Sequence, residues 1–281
     1  MSQLTHMRQR IKAIKTIKKI THAMRLISMS THSRMKHQEE PIKLYQQKIM
    51  ELFASARALS PLYHNPTLEP KQPLNKHPLV ILIGSQKGLC GSFNSNLFQL
   101  FNLQILNQKT KPSIITVGKQ ATQYIHKQKL GTLISFYDTF GLHNLLTIAD
   151  SLLQEITQAK KQYSSVTLFS NTAPSFFMQR PKAEQIIPAQ LSPNTAKHPE
   201  YEFEQSSHKI LDYLSEQYLL SHIQHALFQS LIAEHSARFV SMDSSTRNAE
   251  TLLEQMQLNY NKLRQAKITR ELTELSSFFL T

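Results

Sequence analysis

The chain has 281 residues, a net charge of +13 with a pI near 9.7, and one cysteine, Cys90. That length suffices for one α/β core plus an extended element, the lone cysteine excludes an intramolecular disulfide and suits a reducing compartment, and no apolar run approaches the eighteen or so residues of a membrane span, so the chain reads as soluble or peripheral. The charge makes acidic surfaces, nucleic acid and anionic lipid all plausible partners without choosing among them. All six glycines lie between Gly84 and Gly141, which confines flexible backbone to the middle.

Residues 1 to 38 carry nine Lys or Arg and no acid, the bias of an organellar transit peptide. Against that reading, Leu4, Met7, Ile11 and Ile14 have the 3-4-3 spacing of a coiled-coil seam, and no small-residue cleavage site follows. The apolar pattern continues through Ile17, Ile20, Met24 and Ile27, with two three-residue steps that resemble a stammer. The expectation is a mature helix over residues 3 to 40 with a basic outer face. Pro41 should end or kink it. A helical pattern resumes over 42 to 59, and a proline-rich polar stretch follows as a linker, 60 to 78.

The middle has a different period. Leu79-Val80-Ile81-Leu82-Ile83 is a continuous apolar run closed by Gly84, as in a strand buried on both faces of a parallel sheet. Further strands are predicted at Ser113–Val117, Thr132–Phe136 and Ser165–Phe169, with Ile186-Ile187 as an edge strand. Helices are predicted over 93–108, 119–128 and 143–161. This alternation predicts a Rossmann-like α/β domain with a mostly parallel sheet over 79–191 and a second linker over 192–204.

From Glu200 to Thr281 there is neither proline nor glycine. The stretch reads as one helix, 205–281, that at 1.5 Å per residue would span roughly 120 Å and outrun any compact core. Ala249, Leu253, Met256, Tyr260 and Leu263 repeat at 4-3-4-3, a second heptad seam. The terminal helices are therefore expected to pair as a long antiparallel coiled coil, with the α/β domain inserted between them. Separate packing of each helix into a bundle is the alternative, and the length of the stripe opposes it.

The residues name no catalytic chemistry. The loop Gly84-Ser85-Gln86-Lys87-Gly88-Leu89-Cys90-Gly91 follows a strand, yet neither G-x-x-x-x-G-K-[ST] nor G-x-G-x-x-G is present. Cys90 reads as a structural thiol rather than a nucleophile. His222 and His225 share a helical face, but two histidines define no metal site, and a solvated face is the expectation there. No catalytic residue, cofactor or metal is predicted.

Four segments resemble the gamma subunit of F-type ATP synthases. They are Arg10-Ile11-Lys12-Ala13-Ile14-Lys15 with Lys19-Ile20-Thr21-His22-Ala23-Met24; Gly88-Leu89-Cys90-Gly91-Ser92-Phe93-Asn94; Glu234-His235-Ser236-Ala237-Arg238-Phe239-Val240-Ser241-Met242-Asp243; and Leu258 to Glu274, around Arg264-Gln265-Ala266-Lys267-Ile268-Thr269. They cover both ends and the core in the family's order. The resemblance implies a non-catalytic rotor, one copy per complex, whose paired helices stand inside a ring of alpha and beta subunits while the α/β domain meets epsilon and the membrane c ring. It implies torque transmission during proton- or sodium-driven ATP synthesis or ATP-driven pumping, at the cytoplasmic face of a bacterial inner membrane. Differential contact with alternative beta conformations is what such a shaft must supply.

The resemblance also carries residues. Arg264, Gln265 and Thr269, read as one helical face, resemble positions that bond a catch loop of beta; a guanidinium, an amide and a hydroxyl suit acidic and hydroxyl partners. Glu234 and Arg238 resemble a second rotor position, with an intrahelical i, i+4 ion pair worth a few tenths of a kcal/mol as the plain alternative. Met24 resembles a position facing an acidic beta loop, and the lysine usual two residues earlier is His22, which weakens fixed charge and makes the contact pH-sensitive.

The chain departs from the family where Gln86 and Lys87 replace an Asp and Arg, which puts local core hydrogen bonding in doubt, and where it ends in Phe278-Phe279-Leu280-Thr281. Those departures suit a divergent gamma, such as one from an additional ATPase operon. From another class, the rival is a basic coiled coil binding nucleic acid or an anionic membrane through residues 8 to 36, although the arm lacks interleaved aromatics and no nucleic-acid module follows. An enzyme built on the α/β domain ranks third.

Overall fold

The computed structural model describes residues 3–60, 63–66, 68–69, 77–106, 110–158, 163–189 and 206–278. The chain divides into two compact units, Met1–Met29 with Arg238–Thr281, and Ser30–Ala237. Two helices contribute to both, α1 (Gln3–Leu59) and α5 (Ser207–Phe278).

In the larger unit a five-stranded sheet has the order β3-β2-β1-β4-β5. Its strands are β1 (Pro78–Ile83), β2 (Ser113–Val117), β3 (Thr132–Tyr137), β4 (Ser165–Ser175) and β5 (Met178–Ile187). The first four run parallel, and β5 pairs antiparallel to β4. The edge strand expected at Ile186-Ile187 is thus the end of a ten-residue strand. The rest of β5 alternates polar and half-buried residues, so it lacked the continuous apolar signature of β1.

Helices α2 (Phe93–Leu106) and α3 (Lys119–Gln128) cover one face, around Val80, Leu82, Phe101, Ile114 and Phe169. On the other face Leu79, Ile81, Ile83, Ile115 and Val117 meet α4 (Leu145–Thr157) and segments of α1 and α5. Here α5 is buried nearly all round from Tyr218 to Ala237. Fully buried Phe53 of α1 packs its ring 5.5 Å from Tyr218 of α5, and each such side chain contributes about 1.5–3 kcal/mol. The stretch read as a linker also feeds this core, since Leu68 is fully buried and the Tyr63 hydroxyl donates to Asp212 at 2.6 Å.

Helix α1 passes through Pro41 without ending there. Proline removes one hydrogen bond, to the carbonyl of His37, at a cost of up to about 3 kcal/mol. Both residues lie on the exposed side, where water can solvate that carbonyl, and the helix is held on either flank by buried Met35, Ile49 and Phe53.

Gly118 shows why glycine sits at the crossing of two loops. Its φ is +89°, and a Cβ there would lie 2.3 Å from the Gly84 carbonyl oxygen. No other residue fits without moving the backbone.

In the smaller unit α1 and α5 pair antiparallel. Arg8 Nη2 donates to the Tyr260 hydroxyl at 2.8 Å, Lys18 bridges Glu250 at 2.9 Å, and Arg25 bridges Asp243 at 2.7 Å. The α5 seam expected at Ala249, Leu253, Met256, Tyr260 and Leu263 is the one that turns inward, extended upstream by Met242 and Thr246.

The α1 seam differs from expectation. Its least exposed positions are Leu4, Met7, Ile11, Ile14, Lys18, Thr21, Arg25 and Ser28, an unbroken 3-4-3-4 heptad with no stammer. His32, Met35, Glu39, Ile42, Gln46, Ile49, Phe53 and Ala56 continue the same register in the larger unit. Polar residues occupy many of these inward positions, where they bond across the seam, so hydrophobicity alone pointed to the wrong stripe.

Candidate functional site

A consequence of that register is an outward apolar stripe. Ile17, Ile20, Met24 and Ile27 each precede a seam residue by one position, which in an α-helix turns them about 100° away. Ile17, Ile20 and Ile27 are exposed, Ile27 by 64%. Their own 3-4-3 spacing marks a second stripe, offset by one residue from the first. Met24 is half-buried beside them, and His22, two residues earlier and so about 200° around the helix, is exposed.

Charge is organised around Asp243. Its Oδ1 accepts from Arg25 Nη1 at 2.7 Å and its Oδ2 from Arg247 at 2.8 Å. Arg25 Nη2 lies 3.2 Å from His22 Nδ1, so an unprotonated Nδ1 accepts there. His22 is therefore wired to the acid through one guanidinium. The sequence reading picked out His22 but not Asp243, whose role needs the helix pairing to be seen.

Farther along α5, every described side chain from Arg264 to Ser276 is exposed, including Ile268, Leu272 and Leu275. Arg264, Gln265 and Thr269 lie within this single-helix segment. At 100° per residue they span an arc of about 140°, closer to half the circumference than to a narrow face. The Thr269 hydroxyl donates to the Gln265 carbonyl at 3.0 Å, as an isolated helical threonine does. Phe278 closes α5, and residues 279–281 lie outside the described residues.

Glu234 and Arg238 are placed differently. They are only 5% and 6% exposed, each with interactions inside the chain, so neither is presented at the surface.

The histidine pair is also not a solvated face. His222 has a side chain only 10% exposed; its Nδ1 lies 3.1 Å from Glu184 Oε1 on β5 and 3.3 Å from Gln46 Nε2 on α1. His225 Nδ1 lies 2.6 Å from Gln46 Oε1. The His222 contact, aided by Lys182, holds the Glu184 carboxyl down to about 2 against the opposing effect of burial. Burial, with His222 and Lys182 nearby, holds the His225 imidazole below its usual range. The cluster ties β5, α1 and α5 together.

The glycine loop after β1 points its polar groups inward. The Ser85 amide donates to Asn94 Oδ1 at 3.1 Å, and Asn94 Nδ2 donates to Ser85 Oγ at 2.8 Å and Cys90 Sγ at 3.3 Å. Cys90 is buried with Phe93, Ala233 and Ala237. Lys87 is exposed and Gln86 half-buried, so Ser85 and Asn94 maintain the local hydrogen bonding that the substitutions had put in doubt. Among the described residues no group of three or more His, Cys, Asp or Glu is placed to hold a metal ion, and no helix is long and apolar enough to cross a membrane.

Two long helices around an inserted, mostly parallel sheet define the architecture of a rotary ATP synthase central stalk, and the comparisons agree. The ATP synthase family pattern matches residues 3–277. The ATP synthase gamma chain of Clostridium perfringens is 30% identical over 275 residues, 97% of this chain and 95% of that relative. That of Chlorobaculum tepidum is 30% identical over 288 residues, covering 98% and 97%. Among solved structures, a chain of the Euglena gracilis mitochondrial ATP synthase OSCP/F1/c-ring assembly superposes with a TM-score of 0.68 at 14% identity, covering 98% of this chain and 93% of that one. A chain of the Tetrahymena thermophila mitochondrial central stalk and c ring gives 0.58 at 21% identity, covering 80% and 98%.

The chain belongs to the ATP synthase gamma-chain family. Its basic α1 is thereby a shaft helix of a rotary ATP synthase rather than a nucleic-acid or lipid-binding arm.

Proposed function

We propose that this chain is the non-catalytic, torque-carrying rotor of its ATP synthase, one copy turning inside a ring of alpha and beta subunits. The observation that carries the reading is the exposed single-helix stretch Arg264–Ser276, apolar at Ile268, Leu272 and Leu275. A chain that leaves such a surface uncovered on a rigid helix needs a sleeve around it. The outward stripe of Ile17, Ile20 and Ile27 adds a second uncovered surface, on α1.

In this reading Arg264, Gln265 and Thr269 offer a guanidinium, an amide and a hydroxyl to a beta loop, and Met24 with His22 offers a mixed contact to a second one. Glu234 and Arg238, being buried, act by holding α5 in place behind those contacts. The α/β domain meets epsilon and the c ring at the cytoplasmic face of a bacterial inner membrane, and proton or sodium flow turns the assembly. The shaft then favours different beta conformations in turn, because each presents different contacts to an asymmetric surface.

The test is exchange. Arg264→Ala with Gln265→Ala in the assembled complex should leave single-site nucleotide binding intact while lowering torque-coupled ATP hydrolysis and synthesis together. Unchanged coupling in that variant would remove these residues from the contact.

A further inference from the structure

The larger unit carries a feature that the rotor reading does not use. Strand β3 forms an open edge of the sheet, bonded to β2 on one side and to no described strand on the other. Natural sheets usually blunt such an edge with charge or proline. Thr132-Leu133-Ile134-Ser135-Phe136-Tyr137 has neither; its one irregularity is a register shift at Ile134, past which pairing with β2 resumes, and Ile134 and Phe136 are 49% and 56% exposed.

Beside this edge, between β3 and the C-terminal half of α4, opens a cleft of about 800 Å³. Its lining includes Ser135, Tyr137, Gln154, Gln158 and Tyr163, and its one acid is Glu155. Ser135 Oγ lies 2.6 and 2.8 Å from the two carboxylate oxygens, and the Tyr137 hydroxyl donates to Oε1 at 2.7 Å. Burial and then the Glu155 carboxylate push the Tyr137 phenol up to about 12, so it stays a donor. Two hydroxyls leave about half of the carboxylate's acceptor capacity unused. In a chain of net charge +13, a cleft centred on a carboxylate selects a cation, not an anion.

We propose that the β3 edge docks an extended segment of another polypeptide by strand addition, and that this segment places a lysine or arginine in the Glu155 cleft. Main-chain pairing along β3 supplies register, and alternate side chains fall on opposite faces. Apolar side chains of the added strand lie beside Ile134 and Phe136, and the basic one enters beside Ser135 and Tyr137. The site lies wholly within the Ser30–Ala237 unit and stands whether or not the rotor reading holds.

Seven-residue peptides of alternating valine and threonine, with lysine, glutamine or glutamate at the centre, test this by titration against the full-length protein. The lysine peptide should bind at least about tenfold more tightly than the other two, a margin one charge-assisted contact supplies. Glu155→Gln should abolish that preference. N-methylation of alternate peptide amides, which leaves the protein untouched, should abolish binding in one of the two registers. Absence of binding at millimolar peptide, equal binding of the lysine and glutamate peptides, or full binding of both N-methylated forms would each overturn the proposal.

Discussion

The Thr246 hydroxyl donates to the Thr21 hydroxyl at 2.9 Å, inside the seam where α1 and α5 pair, and Thr21 in turn lies 3.1 Å from the Lys18 carbonyl. Both side chains are buried. A hydroxyl pair at this depth favours one register, although each hydroxyl also reaches a carbonyl of its own helix, Thr21 that of Lys18 and Thr246 that of Met242 at 2.7 Å. Thr246→Val removes the bond across the seam but leaves Thr21 its bond to the Lys18 carbonyl, so it should cost about 1 kcal/mol, and Thr21→Val with Thr246→Val should cost less than the sum of the two single changes. Urea unfolding of the two single variants and the double variant measures it. Additive losses would mean the hydroxyls act independently.

Pro41→Ala should stabilise the chain. Pro41 sits inside a continuous helix, on its exposed side, and alanine restores the bond to the His37 carbonyl together with a much better helix propensity. A gain of roughly 1–3 kcal/mol is expected, read as a rise in unfolding midpoint. A loss would show that proline sets a bend on which the packing depends.

Acid stability should depend on Glu184. Its carboxyl is lowered from 4.5 to about 2, so its contribution is complete above the unfolded value and disappears as pH falls through the folded one. Between about pH 4.5 and pH 2 the native chain should lose up to about 3 kcal/mol from this group. Glu184→Gln should flatten that part of the stability-versus-pH curve while lowering stability at pH 7. A variant curve parallel to the native one across this window would contradict the assignment.

Ile20→Ser with Ile27→Ser should separate folding from assembly. Both side chains point away from the seam and are exposed. Their replacement should change the stability of the isolated chain by no more than about 0.5 kcal/mol. Capture by an alpha and beta assembly should weaken, as measured by pull-down of the purified subunits. Loss of folding instead of capture would place the pair in the core.

Much of the fold was legible because its signals are local. The apolar run at Leu79–Ile83, the α5 heptad from Ala249 to Leu263 and the breaker-free stretch ahead of Phe278 each state their structure within a short window. The α1 seam was not, because Lys18, Thr21, Arg25, Ser28 and His32 turn inward and are satisfied by residues more than 140 positions away or by groups on α1 itself. The same blindness hid Asp243 and the burial of His222. At the candidate site, Arg264, Gln265 and Thr269 came from resemblance to a family; the structure adds that their surroundings are exposed. Pro41 does not end its helix because the packing of Met35, Ile49 and Phe53 on either flank outweighs the lost hydrogen bond.

The central claim is that this chain is a rotor that couples the catalytic sites of a ring around it. Reconstitution of alpha and beta subunits with and without the chain, with ATP hydrolysis followed alongside subunit stoichiometry, tests it most directly. One copy per three alpha and beta pairs, with cooperative hydrolysis that vanishes when the chain is omitted, is the predicted result. An alpha and beta assembly that forms and hydrolyses ATP equally well without it would contradict the account.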